Sequence, residues 1–218
     1  MSDDIPLIFA DELTRSTARR RAVFLSAMSA AQMQQYASAQ WDVIAGPGFQ
    51  ARADIDLAGV PAREGGEDQL AGADLISLEA PTWPADAEPH FRRWAARAIK
   101  VNAAFHNLDG AKVEAIAAAL GRMGYHIVIS HWRDDNIYGL RSLSRVDRLE
   151  GYGAPDWNHS NLIALRDAAL VPALLTVSRL YVGEERRIAE LKLSHTVRGD
   201  HIARLEDAMS TLQKRAAS

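Results

Sequence analysis

The chain has 218 residues, of which 48% are hydrophobic, and it contains no cysteine. This length suits one α/β domain with an appendage, and the absence of thiols excludes disulfides and cysteine-based metal sites. A net charge of −3, with acidic and basic residues interspersed, does not favour nucleic-acid binding. The start MSDDIPLIF is not typical of a secretory signal, and no apolar run reaches the ~20 residues of a membrane helix. We therefore expect a cytoplasmic protein without a membrane partner.

The first part of the chain, residues 1–40, is predicted to be a helical segment. Its apolar residues recur at helical spacing beside the basic cluster Arg19–Arg21, which we interpret as the solvated face of that helix. The next residues, 41–72, contain GPG at Gly46–Gly48 and a further glycine pair. They are predicted to be rich in loops, with short strands.

A strand–helix pattern follows in the middle of the chain. The predicted elements are strands at Asp74–Ala80, Ala98–Phe105 and Tyr125–Ser130, with helices at Pro89–Arg97 and Asp109–Gly121 between them. Asp109 suits a helix N-cap, and the spacing predicts parallel strands with right-handed crossovers. A last strand, Asn161–Arg166, comes after a polar loop without helical periodicity. It is therefore predicted to pair antiparallel with the preceding strand.

Several residues between about Leu57 and Arg166 recur at the spacing of a known family. They are Gly124-Tyr125, Ser130, Trp132, Tyr138-Gly139, Trp157 and the run Asn161-Leu162-Ile163-Ala164 closed by Arg166. With this pattern the segment resembles the C-terminal half of the FkbM-type family of S-adenosylmethionine-dependent methyltransferases. The resemblance implies a Rossmann-like, class I methyltransferase sheet whose last strand is antiparallel. It also implies methyl transfer to a sugar or another small hydroxyl acceptor.

The cofactor-binding parts of that family are poorly represented. A class I methyltransferase needs a glycine-rich turn after its first strand and an acidic residue after its second. The only candidates are Gly46 and Gly48, with Asp54 or Asp56 as the acid, and a tight turn is the simpler interpretation of GPG. Too few residues separate this turn from Asp74–Ala80 for two further βα units. We therefore expect a reduced sheet that has lost its cofactor half, with no cofactor bound.

A reduced sheet would leave one edge of the Asp74–Ala80 strand exposed, and such edges promote aggregation. We expect Trp41–Ala45 or Ala51–Leu57 to pair there. The helix predicted over residues 10–40 would then cover one face of the sheet.

Few side chains in this sequence are candidates for catalysis. Glu79 ends a predicted parallel strand, where ligands of α/β sheets bind, so it is a candidate catalytic or cofactor-binding group; it could equally cap a helix. His131 with Asp134 and Asp135 could form a general base oriented by carboxylates, or a surface cluster. His106 and His131 lack the spacing of a metal signature, and no metal is predicted.

The last part, residues 167–218, is predicted to be a long helix with heptad spacing. The predicted oligomer seam is Ile188, Leu191, His195, Ile202, Leu205, Met209 and Leu212. A stripe of this length should pair with a second copy of the chain or with another helical partner. A turn at Arg198-Gly199-Asp200 would instead fold the helix into a hairpin.

These predictions divide the chain into three parts: a helical segment at 1–40, a reduced methyltransferase-like α/β domain at 41–166 and a helical or coiled-coil segment at 167–218. The function that fits best is a non-catalytic scaffold, a pseudoenzyme that oligomerises through its C-terminal helix. The alternative is an S-adenosylmethionine-dependent methyltransferase.

Overall fold

The computed structural model describes residues 5–14, 20–26, 30–46, 62–104, 108–135, 140–151 and 155–216. The chain divides into two units, Met1–Arg179 and Leu180–Ser218. The first unit is an α/β domain with a mixed sheet of eight strands. The described residues of the second unit form a single helical segment.

The strands of the sheet are, in chain order, β1 Arg20–Phe24, β2 Trp41–Ala45, β3 Ala62–Glu64, β4 Leu75–Glu79, β5 Ala98–Asn102, β6 His126–Asp135, β7 Leu140–Arg148 and β8 Ser160–Leu165. In space they follow the order β3-β2-β1-β4-β5-β8-β6-β7. The strands from β1 to β5 pair in parallel, whereas β8 is antiparallel to both β5 and β6, and β7 is antiparallel to β6. The strand order reverses between β1 and β4.

The helices are α1 Ile5–Ile8, α2 Ala10–Leu13, α3 Ala30–Ser38, α4 Glu67–Leu70, α5 Ala87–Trp94, α6 Gly110–Arg122 and α7 Leu170–Ala216. The two helices predicted in the middle of the chain are confirmed as α5 and α6. Asp109 is the N-cap of α6, and its carboxylate accepts a hydrogen bond from the Ala111 N–H at 3.0 Å. Gly124, just after α6, has a φ of +87°, which favours glycine.

Helices cover both faces of the sheet. On the first face, hereafter the α5/α6 face, strand residues share one core with Phe91 of α5 and Leu120 of α6; they include Val23, Ile44, Ile76, Leu78, Ile99, Val101, Ile129, Leu162 and Ala164. On the other face, hereafter the α3 face, Phe24 of β1 meets Tyr36 of α3 edge to face, with ring centroids 5.2 Å apart. The central parallel strands are therefore buried on both sides.

The prediction of one helical segment over residues 1–40 is wrong. β1 lies within this segment and in the interior of the sheet, between β2 and β4. It carries Ala22, Val23 and Phe24 in succession because both of its faces are buried. A continuous apolar run also fits helical spacing, so periodicity alone could not distinguish a buried strand from a helix. Arg21 belongs to this strand rather than to a solvated helix face, and its N–H donates to the Asp74 carboxylate at 2.9 Å.

The expectation of a reduced sheet is also wrong. β1, β2 and β3 all lie on the side of β4 where only one short strand was expected. The strand that pairs with β4 is β1, whereas Trp41–Ala45 is β2 and pairs on the far side of β1. The other expected partner, residues 51–57, lies outside the described residues. The domain boundary at residue 41 therefore separates β1 from the sheet to which it belongs.

β6 is longer than predicted, and a strand that was not predicted follows it. β6 continues to Asp135, and a bulge interrupts its pairing with β7 between His131 and Trp132. β7 falls in the region predicted to be a polar loop. Its buried residues Leu143 and Val146 are three positions apart, which hides the alternation expected of a strand. The antiparallel pairing predicted for the last strand is confirmed by β8.

α7 is one helix of 47 residues, and it includes Arg198, Gly199 and Asp200. The alternative of a hairpin turn at these residues is therefore wrong. The first turns of α7 belong to the α/β unit, where Val171 and Leu174 are buried. Pairing of the remainder with another helix stays a prediction.

Candidate functional site

The reversal of strand order between β1 and β4 marks the carboxyl edge of the sheet as the place to look for a site. In open α/β sheets, ligands bind outside the carboxyl ends of strands that flank such a reversal. Here β1 is followed by Leu25 and Ser26, β4 ends at Glu79 and β5 ends at Asn102. Residues 27–29, 47–61 and 105–107, which lie between described segments of the sequence, are outside the described residues.

Ser26 joins the ends of β1 and β4. Its side-chain oxygen accepts a hydrogen bond from the Glu79 N–H at 2.7 Å, and the residue is buried. The Glu79 carbonyl accepts a bond from the Thr82 hydroxyl at 2.8 Å. Glu79 therefore lies at the predicted edge with its backbone held on both sides, and its side chain is half-buried.

The described residues at this edge do not fit a glycine-rich cofactor turn. The candidate Gly46 follows β2 rather than β1. A Cβ at Gly46 would lie 2.7 Å from a Leu25 side-chain carbon and 3.0 Å from one of Val23, so packing against β1 accounts for this glycine. The sequence after β1, residues 25–29, is LSAMS and contains no glycine. The other cofactor candidates, Gly48 and Asp54, lie outside the described residues.

Asn161 of β8 fixes the carboxyl end of β5. Its side-chain oxygen accepts hydrogen bonds from the N–H groups of Ala103 and Ala104 at 2.9 and 3.0 Å. The Ser130 hydroxyl donates in turn to the Asn161 carbonyl at 3.4 Å. The asparagine side chain thus satisfies backbone donors beyond the last paired residue of β5.

His131 of β6 faces Ser160 of β8 in the strand register. The Ser160 hydroxyl donates to the Asp156 carbonyl at 2.6 Å, so its single hydrogen is used, and Nδ1–H of His131 donates to Ser160 Oγ at 3.0 Å. Burial, followed by the Arg145 guanidinium, lowers the pKa of His131. Ser160 is fully buried, so a substrate could not reach its hydroxyl. The hydrogen bonds from His131 to Ser160 and from Ser160 to Asp156 are therefore structural, and they do not form a nucleophile with its base.

Two carboxylates that the sequence did not single out act on His131. Asp156 and Asp147 are the carboxylates that act to raise the pKa of His131. A hydrogen bond from His159 Nδ1 at 2.9 Å lowers the pKa of Asp156. The side chains of the predicted partners Asp134 and Asp135 lie outside the described part of the structure, although their backbones continue β6. Their grouping with His131 stays a prediction.

Sequence reasoning selected Glu79 but missed the other three members of a set of polar side chains on the α3 face, hereafter the polar row. Ser77 and Glu79 of β4 alternate with residues of the α5/α6 core, as do Lys100 and Asn102 of β5. Ser77 is in register with Lys100, and Glu79 with Asn102. The sequence feature that could have revealed the polar row is Lys100. It lies at the centre of AIKVN, a strand whose other residues are apolar except the last.

A second polar cluster lies at the opposite, amino edge of the sheet. The buried carboxylate of Asp74 accepts the Arg21 N–H at 2.9 Å and lies 3.4 Å from Arg97 Nε. Beside Arg97 is a cleft of about 560 Å³, which Arg166 and Asp167 also line. Asp74 joins the starts of β1, β4 and β5, which is a structural role.

The predicted seam on α7 forms an exposed stripe in the second unit. Four of its large apolar side chains are more than half exposed: Leu191 59%, Ile202 55%, Leu205 52% and Met209 60%. Ile188 is half-buried and His195 is exposed, while the side chain of Leu212 lies outside the described part. We refer to Leu191, Ile202, Leu205 and Met209 as the apolar stripe.

Compared with known proteins, the chain matches no family model and no curated protein. Within the described residues, no group of three or more histidine, cysteine or acidic side chains could hold a metal ion. His106 lies outside this set. Among the described helices, none combines the length and the apolar character needed to cross a membrane.

Proposed function

We propose that this protein is a non-catalytic interaction module, in which a Rossmann-like, methyltransferase-like domain carries a helix that self-associates. The observation that carries this proposal is the apolar stripe, whose four side chains are all more than half exposed. Large apolar side chains exposed at heptad spacing are typical of a helix–helix interface.

The partner that fits the apolar stripe is a second copy of the chain in antiparallel orientation. His195 and Arg198 interrupt the seam, with apolar positions on both sides of them. In an antiparallel pair Leu191 faces Met209, His195 faces Leu205 and Arg198 faces Ile202. A parallel pair would place two Arg198 side chains against each other, and like charges at that distance repel.

The energetics support association through this stripe. Each large apolar side chain contributes about 1.5–3 kcal/mol when it is fully buried. Association of two chains costs about 4–15 kcal/mol in translational and rotational freedom. Eight such side chains, each 52–60% exposed before pairing, contribute roughly 6–14 kcal/mol, which offsets the cost in the lower and middle part of this range.

The test is to replace two residues of the stripe with aspartate. We expect Ile202→Asp/Leu205→Asp to convert a dimer into a monomer in light scattering at tens of micromolar protein, with an unchanged near-ultraviolet circular dichroism spectrum. The matched control is Val197→Asp, because Val197 is equally exposed, at 59%, but lies off the seam. A monomeric unmodified protein would contradict the proposal, and unfolding of the double variant would show that α7 belongs to the domain core.

A second candidate function is favoured by the strand order. A parallel set β3-β2-β1-β4-β5, followed by the antiparallel β8 between β5 and β6, is the arrangement that the resemblance to class I methyltransferases implies. The side chains after β1 argue against it, because no glycine-rich turn is present there. Calorimetric titration with S-adenosylmethionine and S-adenosylhomocysteine distinguishes the two functions. Absence of binding is expected, and one-site binding would overturn the non-catalytic assignment.

A further inference from the structure

The cleft beside Arg97, hereafter the amino-edge cleft, has a volume of about 560 Å³. Small-molecule sites commonly have volumes of about 300–1,000 Å³ and combine apolar walls with a few polar groups. The apolar walls of this cleft include Leu13 of α2, and Leu170 and Ala173 at the start of α7, all in the first unit. Its charged side chains are Glu12, Arg97, Arg166 and Asp167.

Arg97 is committed to contacts within the protein. Its Nε lies 3.4 Å from the buried Asp74 carboxylate, and its Nη1 donates to the Leu13 carbonyl at 3.4 Å. Its own carbonyl accepts the Arg166 N–H at 2.9 Å. Arg97 therefore joins α2, which carries Glu12, to the segment that carries Arg166. It holds the walls of the amino-edge cleft in place, and we assign it no ligand contact.

The other three charged groups keep capacity for a ligand. Within the described residues, the Glu12 carboxylate has no hydrogen-bond or ion-pair partner, so Glu12 and Arg166 do not pair with each other across the cleft. The Arg166 guanidinium donates to the hydroxyl of buried Tyr125, and a guanidinium carries five N–H donors. One carboxylate oxygen of Asp167 accepts the Ala169 N–H at 2.9 Å. Opposite charges that line one cleft without pairing indicate a ligand that carries both signs of charge.

We propose that the amino-edge cleft binds a small zwitterion with apolar side chains, which is the chemistry of an apolar α-amino acid or of a dipeptide built from such residues. The carboxylate of the ligand accepts hydrogen bonds from the Arg166 guanidinium, whose planar donors match it. The ammonium donates to the carboxylates of Glu12 and Asp167. The apolar side chain packs against Leu13 and Leu170. The cleft lies in the first unit, so this site does not depend on the proposed self-association.

The first experiment measures binding by the full chain. L-leucine and leucyl-leucine at millimolar concentrations should shift the amide resonances of Leu13, Arg166 and Leu170 in proton–nitrogen correlation spectra. The two probes differ in the separation of their charges, so the tighter binder shows which spacing the cleft fits. Shifts with neither probe would refute the proposal.

Two truncated compounds test whether both charges of the ligand are used. Isocaproate lacks the ammonium of leucine and isoamylamine lacks its carboxylate, so each should bind about fivefold more weakly than leucine. This factor is modest because Arg166 and Asp167 are exposed, and exposed charge pairs contribute little. Equal binding of either truncated compound would leave one charge of the ligand without a role and would overturn the proposal.

The second experiment assigns each charge of the ligand to a residue. Glu12→Gln should weaken leucine binding about fivefold and leave isocaproate binding unchanged, because isocaproate has no ammonium. The matched control is Glu114→Gln, since Glu114 is exposed on α6 and does not line the cleft. Arg166→Gln should weaken the binding of leucine and isocaproate alike and leave that of isoamylamine unchanged. If Arg166→Gln fails to fold, Glu12→Gln still decides, because unchanged leucine binding, or an equal loss with isocaproate, contradicts the site.

Discussion

Two polar side chains, Ser26 and Asn161, hold the carboxyl edge of the sheet by accepting hydrogen bonds from backbone N–H groups of neighbouring strands. Beyond the last paired residue of a strand, these donors would otherwise be buried without partners. Both residues are buried, at 4% and 9% exposure, so their role is structural. They keep β1, β4, β5 and β8 together where the chain leaves the sheet. The same edge carries Glu79 and Asn102, the outer members of the polar row.

His131 should make the stability of the protein depend on pH in a defined direction. Its pKa in the folded state is lowered, by burial first and by Arg145 next. The unfolded chain therefore binds the proton more tightly than the folded one. The stabilisation from this residue is complete above the unfolded pKa of about 6.5, and it is lost as pH falls from there towards the folded pKa. Urea unfolding at about pH 7.5 and pH 5.5 measures this loss.

The variant that tests this prediction is His131→Asn, whose amide can still donate to Ser160. It should lose less stability than the unmodified protein between the two pH values. His126→Asn is the matched control, because His126 is exposed on the same strand. The same pH-dependent loss in His131→Asn and in the unmodified protein would contradict the prediction. The groups that act on His131 are Arg145 and Asp147 of β7, with Asp156 and His159 before β8.

At the scale of elements, α7 combines two kinds of surface along one helix. Its first turns bury Val171 and Leu174 in the α/β unit, whereas the apolar stripe farther along is exposed in the second unit. Hydrophobic residues normally become buried, and the proposed self-association would bury this stripe. Gly183 and Gly199 weaken a helix by about 1 kcal/mol each relative to alanine, so helix pairing should also stabilise this segment.

The orientation of the proposed pair can be tested with disulfides, because the chain has no cysteine of its own. In the antiparallel arrangement Leu191 faces Met209 of the second copy. A mixture of Leu191→Cys and Met209→Cys proteins should therefore form a disulfide-linked heterodimer on oxidation, as seen on a non-reducing gel. Leu191→Cys alone should remain unlinked. Efficient linking of Leu191→Cys with itself would instead show a parallel pair.

At the scale of the whole molecule, the division into two units predicts that the second can be removed without unfolding the first. A variant that ends at Arg186 retains the first unit, Met1–Arg179, and about two further turns of α7. We expect it to be monomeric and to unfold cooperatively, with a melting temperature within a few degrees of that of Ile202→Asp/Leu205→Asp. Both variants remove association, so that comparison holds the oligomeric state constant. Loss of cooperative unfolding in the truncated chain would mean that the units are not independent.

Much of the middle of the fold could be predicted because the signals there are local. Asp109 and Gly124 mark the two ends of α6, and the apolar runs of β4 and β5 are short and bounded by helices. The direction of β8 followed from the loop before it. β7 was missed because the apolar residues of a bulged hairpin do not alternate, so period-two reasoning does not detect it.

The sequence by itself determined the type of most elements, since capping, turn residues and periodicity act within a few residues of each other. Only the tertiary structure decided that β1 lies inside the sheet, between β2 and β4, and that β2 and β3 extend the sheet beyond it. Burial on both faces gives β1 an apolar run that a helix would also show, and its partner strand is remote in the chain. The Ser26 oxygen and the Glu79 N–H that join β1 to β4 are 53 residues apart. The tertiary structure also decided that Ser77 pairs with Lys100. The register between two strands is set by both strands together and not by either strand alone.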